Sequence, residues 1–321
     1  MKSKNTIAIG LCLISFCLFV QCKTNENTTA SKKSQSIYNI LKLINFSDKK
    51  SDKVLTDPKR GKKHFSANRF DKDLIITEHK INDFKALTIT TKNISKAHII
   101  FFHGGAYFIE ASKAHRKLIE KICLTTDYKI TYIDYPLAPE NDAITTHKIT
   151  YEFYQILLKK HPNDEFILMG DSAGGGLALA FLQSLVTNNE KTIPQKTILL
   201  SPWLDVGMKN PDIKNYIDKD VVLNCQRLIK CGKIYARDLD TENPLVSPIY
   251  GELNNLGTIK IFVSTHELFY PDCLKLDSLI SEASGSICET KVMEGMVHDW
   301  ILFPFDESEN CIKEIIESIE K

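Results

Sequence analysis

The segment that most constrains the fold of this chain is the pentapeptide at 170–174, which reads G-D-S-A-G. An apolar run at 166–169 precedes it, and a run rich in glycine, alanine and leucine follows it at 175–182. This pattern predicts a buried strand, a sharp turn and a helix, the context in which a G-x-S-x-G turn exposes its serine. The turn requires small flanking residues. By itself, the pentapeptide fits a structural turn about as well as a nucleophilic Ser172.

A second glycine turn lies upstream, where the apolar run 99–102 is followed by H-G-G at 103–105. Glycines directly after a strand allow backbone N–H groups to approach a ligand closely, as an oxyanion hole requires. A strand-like run at 129–133 and a helical run at 151–158 separate this turn from Ser172. H-G-G alone fits a plain turn, but the two motifs in this order favour a catalytic site.

In this order the two turns resemble the oxyanion loop and the nucleophile elbow of the α/β-hydrolase superfamily, and within it the hormone-sensitive-lipase-like esterases. Four further segments resemble recurring segments of that family, at 134–140, 201–205, 243–248 and 295–300. The resemblance runs from about residue 97 to about residue 304. It implies an α/β fold of the α/β-hydrolase type, with a mostly parallel central sheet flanked by helices and covered by a helical cap.

The resemblance implies that Ser172 is the nucleophile and that His103 holds the oxyanion loop. Many family members carry a third glycine where this chain has Ala106. Alanine keeps its backbone N–H, so the oxyanion hole is expected to survive, unless the backbone at this point is open only to glycine. Gly104 is expected to shape the loop while the other three residues of the hole donate N–H groups. The expected oxyanion-hole residues are Gly104, Gly105, Ala106 and Ala173.

Among nine histidines, His298 is the best candidate for the general base. It follows the strand-like run 290–293 through a short loop, where this fold places its base, and the order Ser–acid–His fits the fold. His266 comes too early in the chain, and His98 lies inside the strand before the oxyanion loop. The remaining histidines are interpreted as surface residues: His64, His79, His115, His147 and His161.

Two residues compete for the role of the acid. Glu267 follows the strand-like run 258–263, at a point where the family usually has an aspartate. A glutamate can also orient the imidazole and stabilise its cation. Asp272 is the alternative, although it also suits the N-terminal cap of a helix. The gap between Glu267 and His298 has room for one helix and one strand, which favours Glu267.

Composition agrees with an enzyme that has one large domain. The chain has 321 residues, of which 43% are hydrophobic. Its 41 basic and 40 acidic residues leave no net field to attract nucleic acid or anionic membranes. A phosphate-binding loop, a dinucleotide motif and clustered metal-ligand spacings are absent from the sequence, so neither a cofactor nor a metal is expected. The expected partner is a small-molecule ester, and the oligomeric state is open.

The N-terminus predicts export. Residues 1–21 resemble a signal peptide, because two lysines precede an apolar run at 7–20 that is too short to span a membrane. Cys22 resembles the lipidated cysteine of bacterial lipoproteins, although Gln21 is a poor match to the small residue that usually precedes it. We therefore expect a membrane-anchored lipoprotein, with a periplasmic or secreted protein as the alternatives.

The domain boundaries follow from the same patterns. Residues 22–70 predict a tether and an N-terminal cap region, and 71–321 the catalytic domain. Runs at 74–81 and 86–91 predict antiparallel first strands, and helical patterns at about 206–240 predict a cap insertion. The six cysteines after Cys22 are too sparse for a disulfide scaffold, although two of them are close enough to pair. These two are Cys225 and Cys231.

The expected reaction is hydrolysis of carboxylic esters with short acyl groups through an acyl-enzyme. Two alternatives stay open, an amidase or deacetylase with the same triad and a catalytically dead binding protein on this fold. Short acyl groups are expected because two caps should close over a pocket of limited depth. Five aromatic residues fall in loops near the site, where they either line the pocket or pack in the core: Tyr107, Phe108, Trp203, Phe269 and Trp300.

Overall fold

The computed structural model describes residues 28–49, 52–58, 60–61, 65–93 and 95–320. The expected signal peptide at 1–21 and Cys22 lie outside the described residues, as does His64, and what the sequence indicates about them stays a prediction. In the described part of the chain, no helix combines the length and the apolar character that crossing a membrane requires.

One sheet organises the described residues. Its strands, in chain order, are β1 (Thr28–Thr29), β2 (Ile75–Ile81), β3 (Phe84–Thr90), β4 (Ala97–Phe102), β5 (Lys129–Asp134), β6 (Glu165–Asp171), β7 (Lys196–Leu200), β8 (Gly257–Ser264) and β9 (Ser286–Glu294). They are arranged in the order β1-β9-β8-β7-β6-β4-β5-β3-β2. The pairs β2–β3 and β3–β5 are antiparallel, and all other neighbouring pairs are parallel. The expected mostly parallel sheet, with antiparallel first strands, is confirmed.

Helices cover both faces of the sheet. They are α1 (Lys32–Leu43), α2 (Phe46–Lys49), α3 (Lys53–Thr56), α4 (Lys113–Thr126), α5 (Ala143–Lys160), α6 (Ala173–Thr187), α7 (Cys225–Ala236), α8 (Tyr270–Ser281) and α9 (Asp306–Glu320). Polar side chains begin several of them. The side chains of Ser112, Asp142 and Asn224 accept hydrogen bonds from backbone N–H groups in the first turns of α4, α5 and α7. These caps satisfy donors that have no partner inside the helix.

The continuous apolar run in β4 explains why both faces are covered. Successive side chains of a strand point to opposite faces. Ile100 and Phe102 pack in a core with residues of α5 and α6, while Ile99 and Phe101 pack in a second core with residues of α4 and α9. A strand of this kind is buried on both faces, as parallel strands usually are.

The region at 22–70 is more than a tether, because its described residues join the fold. The strand β1 pairs with the sheet edge β9, and the backbone N–H of Ser31 donates to Glu307 in α9 at 2.6 Å. Further along, Asp52 forms an ion pair with Lys230 in α7, with 2.5 Å between Nζ and Oδ2. Residues 206–240, all of them described, contain a 3-10 turn (Pro211–Asn215) and α7 but no strand.

Candidate active site

Ser172 occupies the sharp turn between β6 and α6. Its backbone has φ 51° and ψ −118°, a strained conformation for a residue with a side chain. A Cβ added to Gly170 would lie 2.3 Å from the carbonyl oxygen of Gly174, and one added to Gly174 would lie 2.1 Å from that of Phe102. Only glycine therefore fits on either side of the turn. The turn places the Ser172 side chain at the N-terminus of α6, where developing negative charge is favoured.

The structure brings Ser172, His298 and Glu267 together. Nε2 of His298 lies 3.0 Å from Oγ of Ser172, and Nδ1 of His298 lies 2.8 Å from Oε2 of Glu267. The other oxygen of Glu267 accepts hydrogen bonds from the N–H of Ser264 at 2.8 Å and from Oγ of Ser201 at 2.9 Å. The carboxylate is thus held on one side by the end of β8 and on the other by the imidazole.

Asp272, the alternative acid, lies elsewhere. It belongs to the first turn of α8, and its Oδ1 accepts a hydrogen bond from Nδ2 of Asn210 at 2.8 Å. Burial raises the pKa of Asp272 to about 6. Of the two candidate acids, Glu267 is the one in contact with His298.

Burial and charge act in opposite directions on His298. Burial alone would lower its pKa, but the carboxylates of Asp299 and Glu267 raise the pKa well above the ordinary value. Burial raises the pKa of Glu267 to about 7, although its hydrogen bond with His298 opposes this shift. The pair is therefore arranged to stabilise a positive charge on the imidazole, as a base that accepts a proton from serine requires.

The loop after β4 passes beside Ser172, since a Cβ added to Gly104 would lie 3.0 Å from Cβ of Ser172. The backbone N–H groups of Gly105, Ala106 and Ala173 find no acceptor among the described residues, while Gly104 donates to Oδ2 of Asp171 at 3.0 Å. Gly105 has φ 122°, and a Cβ there would lie 2.5 Å from the carbonyl oxygen of Ile109. The N–H of Gly104 is thus occupied inside the loop, which leaves three donors.

Ala106 takes a backbone conformation that alanine can adopt. Its φ is 54°, and that of Tyr107 is 63°, both in the left-handed region. This region costs a residue with a side chain roughly 1–2 kcal/mol but does not exclude it. Nδ1 of His103 donates to the carbonyl oxygen of Gly104 at 2.6 Å, and its ring stacks on Tyr135 with centroids 4.4 Å apart. These contacts hold the loop in its strained shape.

The prediction that His115 lies on the surface is wrong. Its Nε2 lies 3.0 Å from Oδ2 of Asp171, the residue before Ser172, and the side chain is buried. His115 shares one face of α4 with the buried residues Leu118, Ile119 and Ile122. This spacing of i, i+3, i+4 and i+7 is that of the apolar stripe of a helix, so it could have shown from the sequence that His115 is buried.

The surface prediction is also wrong for His79 and His147, which are buried. Nε2 of His79 lies 2.9 Å from Oγ1 of Thr88 on the neighbouring strand, and Nε2 of His147 donates to the carbonyl oxygen of Leu245 at 2.8 Å. Both partners are polar groups that compensate for the loss of water around the ring. The sequence pattern around each histidine does not reveal these hydrogen-bond partners, because they belong to other strands or loops.

Aromatic rings connect α7 to the candidate site. Tyr235 in α7 stacks on Tyr107 with centroids 3.7 Å apart, and Tyr107 in turn stacks on Trp203 at 5.8 Å. Trp203 stacks on Phe269 at 6.0 Å, and Phe269 meets the ring of His298 edge-on at 5.2 Å. One apolar core contains Tyr107, Phe108, Trp203, Tyr235 and Phe269. Trp300 packs in the core on the other face of the sheet.

One cluster of metal-ligand type forms although the sequence showed no such spacing. Ligand atoms of His98, His161 and Asp164 lie within 4.8 Å of one another. However, Nζ of Lys129 lies 2.5 Å from both oxygens of Asp164 and already provides a cation there. Cys225 and Cys231, the pair considered for a disulfide, are both free thiols.

Comparisons with known proteins agree on the family. Residues 99–302 match the family model of the alpha/beta hydrolase fold. An esterase of Acinetobacter venetianus is 29% identical over 68% of this chain and 73% of its own length. An acetyl-hydrolase of Streptomyces hygroscopicus is 26% identical over 63% of this chain and 67% of its own length.

Solved structures are similar over most of the chain. A hormone-sensitive lipase from a metagenome library superposes with a TM-score of 0.79 at 26% identity, covering 91% of this chain and 98% of that one. An esterase from the bacterial hormone-sensitive lipase family gives a TM-score of 0.78 at 25% identity, over 90% and 98%. The chain therefore belongs to the α/β-hydrolase fold family, in its hormone-sensitive-lipase-like esterase group, which confirms the resemblance drawn from its motifs.

Proposed function

We propose that this protein is a serine carboxylesterase that hydrolyses esters of short-chain acids through an acyl-enzyme on Ser172. The observation that carries the proposal is the continuous hydrogen-bonded path from Ser172 through His298 to Glu267. Three backbone N–H groups, those of Gly105, Ala106 and Ala173, have no acceptor among the described residues, as an oxyanion hole requires. Relatives described as an esterase and an acetyl-hydrolase support ester chemistry.

In the first half of the reaction, Oγ of Ser172 attacks the carbonyl carbon of the ester. Its proton passes to Nε2 of His298, and Glu267 stabilises the resulting imidazolium. The carbonyl oxygen gains negative charge and accepts hydrogen bonds from the N–H groups of Gly105, Ala106 and Ala173. When the tetrahedral intermediate collapses, the bond to the alcohol oxygen breaks, and that oxygen takes the proton from His298.

In the second half, water enters in place of the alcohol. It gives a proton to Nε2 of His298 while its oxygen bonds to the acyl carbon. Collapse of this second intermediate breaks the bond to Oγ of Ser172, which recovers the proton. One water molecule has then divided one ester into an acid and an alcohol, and the enzyme is unchanged.

The rings of Tyr107, Trp203 and Phe269 support the preference for short acyl groups. They fill the space between α7 and His298 with buried aromatic side chains. The N-terminal region is attached to the loop after β4, because the guanidinium of Arg60 donates to the carbonyl oxygens of Phe108 and Ala138. A pocket bounded in this way should end after a few methylene groups.

A fluorophosphonate probe tests the nucleophile directly. The probe should label the wild-type protein and Ser184→Ala, a control for another serine of α6, but not Ser172→Ala. The Ser172→Ala variant should lose on the order of 10⁶ in kcat with p-nitrophenyl acetate. Retention of more than about a hundredth of wild-type hydrolysis, far above that expected level, would refute the assignment, and an unlabelled wild-type protein would favour a dead site.

A panel of p-nitrophenyl esters and p-nitroanilides separates the esterase from the amidase. We expect the esters to be cleaved faster than the anilides with the same acyl group. This expectation is supported by the relatives, since the path through Ser172 and His298 serves both reactions. Faster cleavage of the anilides would make the protein an amidase.

We also propose, from the sequence, that the protein is exported and that Cys22 carries a lipid. The apolar run at 7–20, which ends just before this cysteine, supports the proposal. Radiolabelled palmitate should be incorporated by the full chain and not by Cys22→Ser. Equal labelling of both, or of neither, would contradict it.

A further inference from the structure

Asp299 brings a second carboxylate to the catalytic histidine. Its Oδ2 lies 3.1 Å from Nε2 of His298, the nitrogen that also lies 3.0 Å from Oγ of Ser172. Asp299 has φ 54° and ψ 34°, a left-handed conformation. In a serine triad only Nδ1 of the histidine needs to face a carboxylate. Here carboxylates contact both nitrogens of the ring.

The surroundings of Asp299 are rich in carboxylates. Asp171 at the end of β6 and His115 in α4 lie near it and interact with it electrostatically. Glu267 faces Nδ1 of His298, and Asp220, which precedes α7, accepts a hydrogen bond from the N–H of Leu268 at 2.9 Å. The charged and titratable groups around His298 are therefore Glu267, Asp299, Asp220, Asp171 and His115.

No lysine or arginine of the described chain forms an ion pair with any of these carboxylates. Oδ1 of Asp299 is buried and has no hydrogen-bond partner among the described residues. The imidazolium of His298 is thus the nearest positive charge available to Asp299. Burial raises the pKa of Asp299, and His298 opposes that shift. In a site with little water, such a pair holds its proton more strongly than either group does alone.

We propose that Asp299 is a positioning residue that holds His298 protonated in the empty site and so sets the pH above which His298 can act as a base. This proposal rests on the proposed function of His298. While Nε2 keeps its proton, with the Asp299 carboxylate 3.1 Å away, the nitrogen has no lone pair with which to accept the proton of Ser172. Loss of that proton at higher pH frees the lone pair, and Ser172 then becomes the donor.

The same carboxylate should act on the transition state. The imidazolium forms again when Ser172 attacks the ester, and Asp299 then stabilises it together with Glu267. Removal of the charge of Asp299 should therefore have two opposite effects. At low pH, more His298 is neutral and the rate rises; at high pH, the transition state loses a stabilising charge and the rate is equal or lower. A residue with only a structural role would lower the rate at every pH.

The variant Asp299→Asn tests this, because the amide keeps the shape and removes the charge. The pH dependence of kcat/KM with p-nitrophenyl acetate should show its acid limb moved to lower pH, by about one pH unit or more. On that limb the variant should hydrolyse the ester about tenfold faster than the wild type for each pH unit by which the limb moves. Asp272→Asn, which removes a buried carboxylate without contact to His298, should leave the limb in place. An acid limb of Asp299→Asn at the wild-type pH would overturn the proposal.

A second measurement does not depend on the folding of a variant or on turnover. In the wild-type protein with ¹⁵N-labelled histidine, NMR should show both nitrogens of His298 protonated at pH 7. A neutral His298 ring at that pH would overturn the proposal. If instead the wild-type protein neither cleaves esters nor reacts with a fluorophosphonate, the proposed function fails, while the titration still decides the effect of Asp299 on His298.

Discussion

Two buried histidine–carboxylate clusters lie at opposite ends of the parallel strands. His298 meets Glu267 and Asp299 at the carboxyl ends, whereas His98 meets Asp164 at the amino ends, with 2.9 Å between Nδ1 and Oδ2. Both rings are buried. The pKa of His98 is lowered, because burial outweighs the effect of Asp164, while that of His298 is raised well above its ordinary value.

The neighbours of the two rings explain this difference. Nζ of Lys129 lies 2.5 Å from both oxygens of Asp164, so the carboxylate is already neutralised. Nε2 of His98 lies 2.7 Å from Oγ1 of Thr131, which occupies the second nitrogen. Around His298 no such cation is present in the described chain, and the second nitrogen faces Ser172. The pKa of a buried imidazole is thus raised here where its carboxylate lacks a competing cation, and lowered where a lysine already pairs with the carboxylate.

The largest expected effect is the difference in kcat between variants of His298 and variants of His98. His298→Ala should lower kcat by on the order of 10⁶, since the nucleophile and its base act as one unit. His98→Ala should leave kcat nearly unchanged and lower the free energy of unfolding, because it removes hydrogen bonds inside the sheet. Steady-state kinetics and urea unfolding of both variants measure this. A comparable loss of kcat in His298→Ala and His98→Ala would show that the two clusters do not differ in their role.

The next largest effect is the loss of kcat when the carboxylate of Glu267, which contacts His298, is removed. Glu267→Gln should lower kcat by roughly 10⁴, by analogy with loss of the orienting carboxylate in a serine triad. Asp272→Asn, its matched control, should change kcat little, because Asp272 contacts Asn210 and not His298. If the order of the two effects were reversed, the acid of the triad would be Asp272.

Substitutions in the His98 cluster should lower the free energy of unfolding and leave kcat nearly unchanged. Asp164→Asn leaves the half-buried ammonium of Lys129 without a charged partner and should cost about 2 kcal/mol in the free energy of unfolding. The double variant Asp164→Leu and Lys129→Met should recover part of this loss, because it removes both charges. Urea denaturation at pH 7 compares the three proteins. A stable Asp164→Asn with low kcat would assign this cluster to catalysis instead.

The smallest effect depends on the aromatic rings of Tyr107, Trp203 and Phe269, which lie between α7 and His298. Each methylene that the pocket accepts should favour binding by about 0.8 kcal/mol, until the acyl chain meets the end of the pocket. We therefore expect faster hydrolysis of acetyl to hexanoyl esters than of dodecanoyl esters. The measurement is kcat/KM over a series of p-nitrophenyl esters. A continuous rise through dodecanoyl and beyond would make the protein a lipase.

Most of the features that could be predicted depend on local geometry. Gly170 and Gly174 are glycines because any side chain there would meet backbone atoms within about 3 Å, a distance real Cβ atoms do not approach. The apolar run at 99–102 likewise predicted a buried strand, and the structure shows β4 there with its side chains buried on both faces. The candidate triad followed from these motifs and from the family resemblance, whose chain order His298 completes. Only the structure shows that Glu267, and not Asp272, contacts His298.

The features that sequence reasoning missed depend on partners far apart in the chain. His115 meets Asp171 across 56 residues, and His98 meets Asp164 across 66. The strand β1 joins β9 from the opposite end of the chain. Each contact pairs polar groups of different elements, so no local spacing records it. Asp299 differs, since it directly follows His298 in the sequence, but only the structure shows that its carboxylate lies 3.1 Å from Nε2 of that histidine.

By itself the sequence indicated the chain's family, its strand–turn–helix at Ser172 and the order of its candidate site residues, because tight turns and buried strands admit few residue types. Only the tertiary structure decided which histidines are buried and which charge each of them faces. The reason is physical: the pKa of an imidazole depends on the groups within a few ångströms of it, whatever their distance along the chain. For His298 those groups are two carboxylates and a serine, and for His98 they include a lysine.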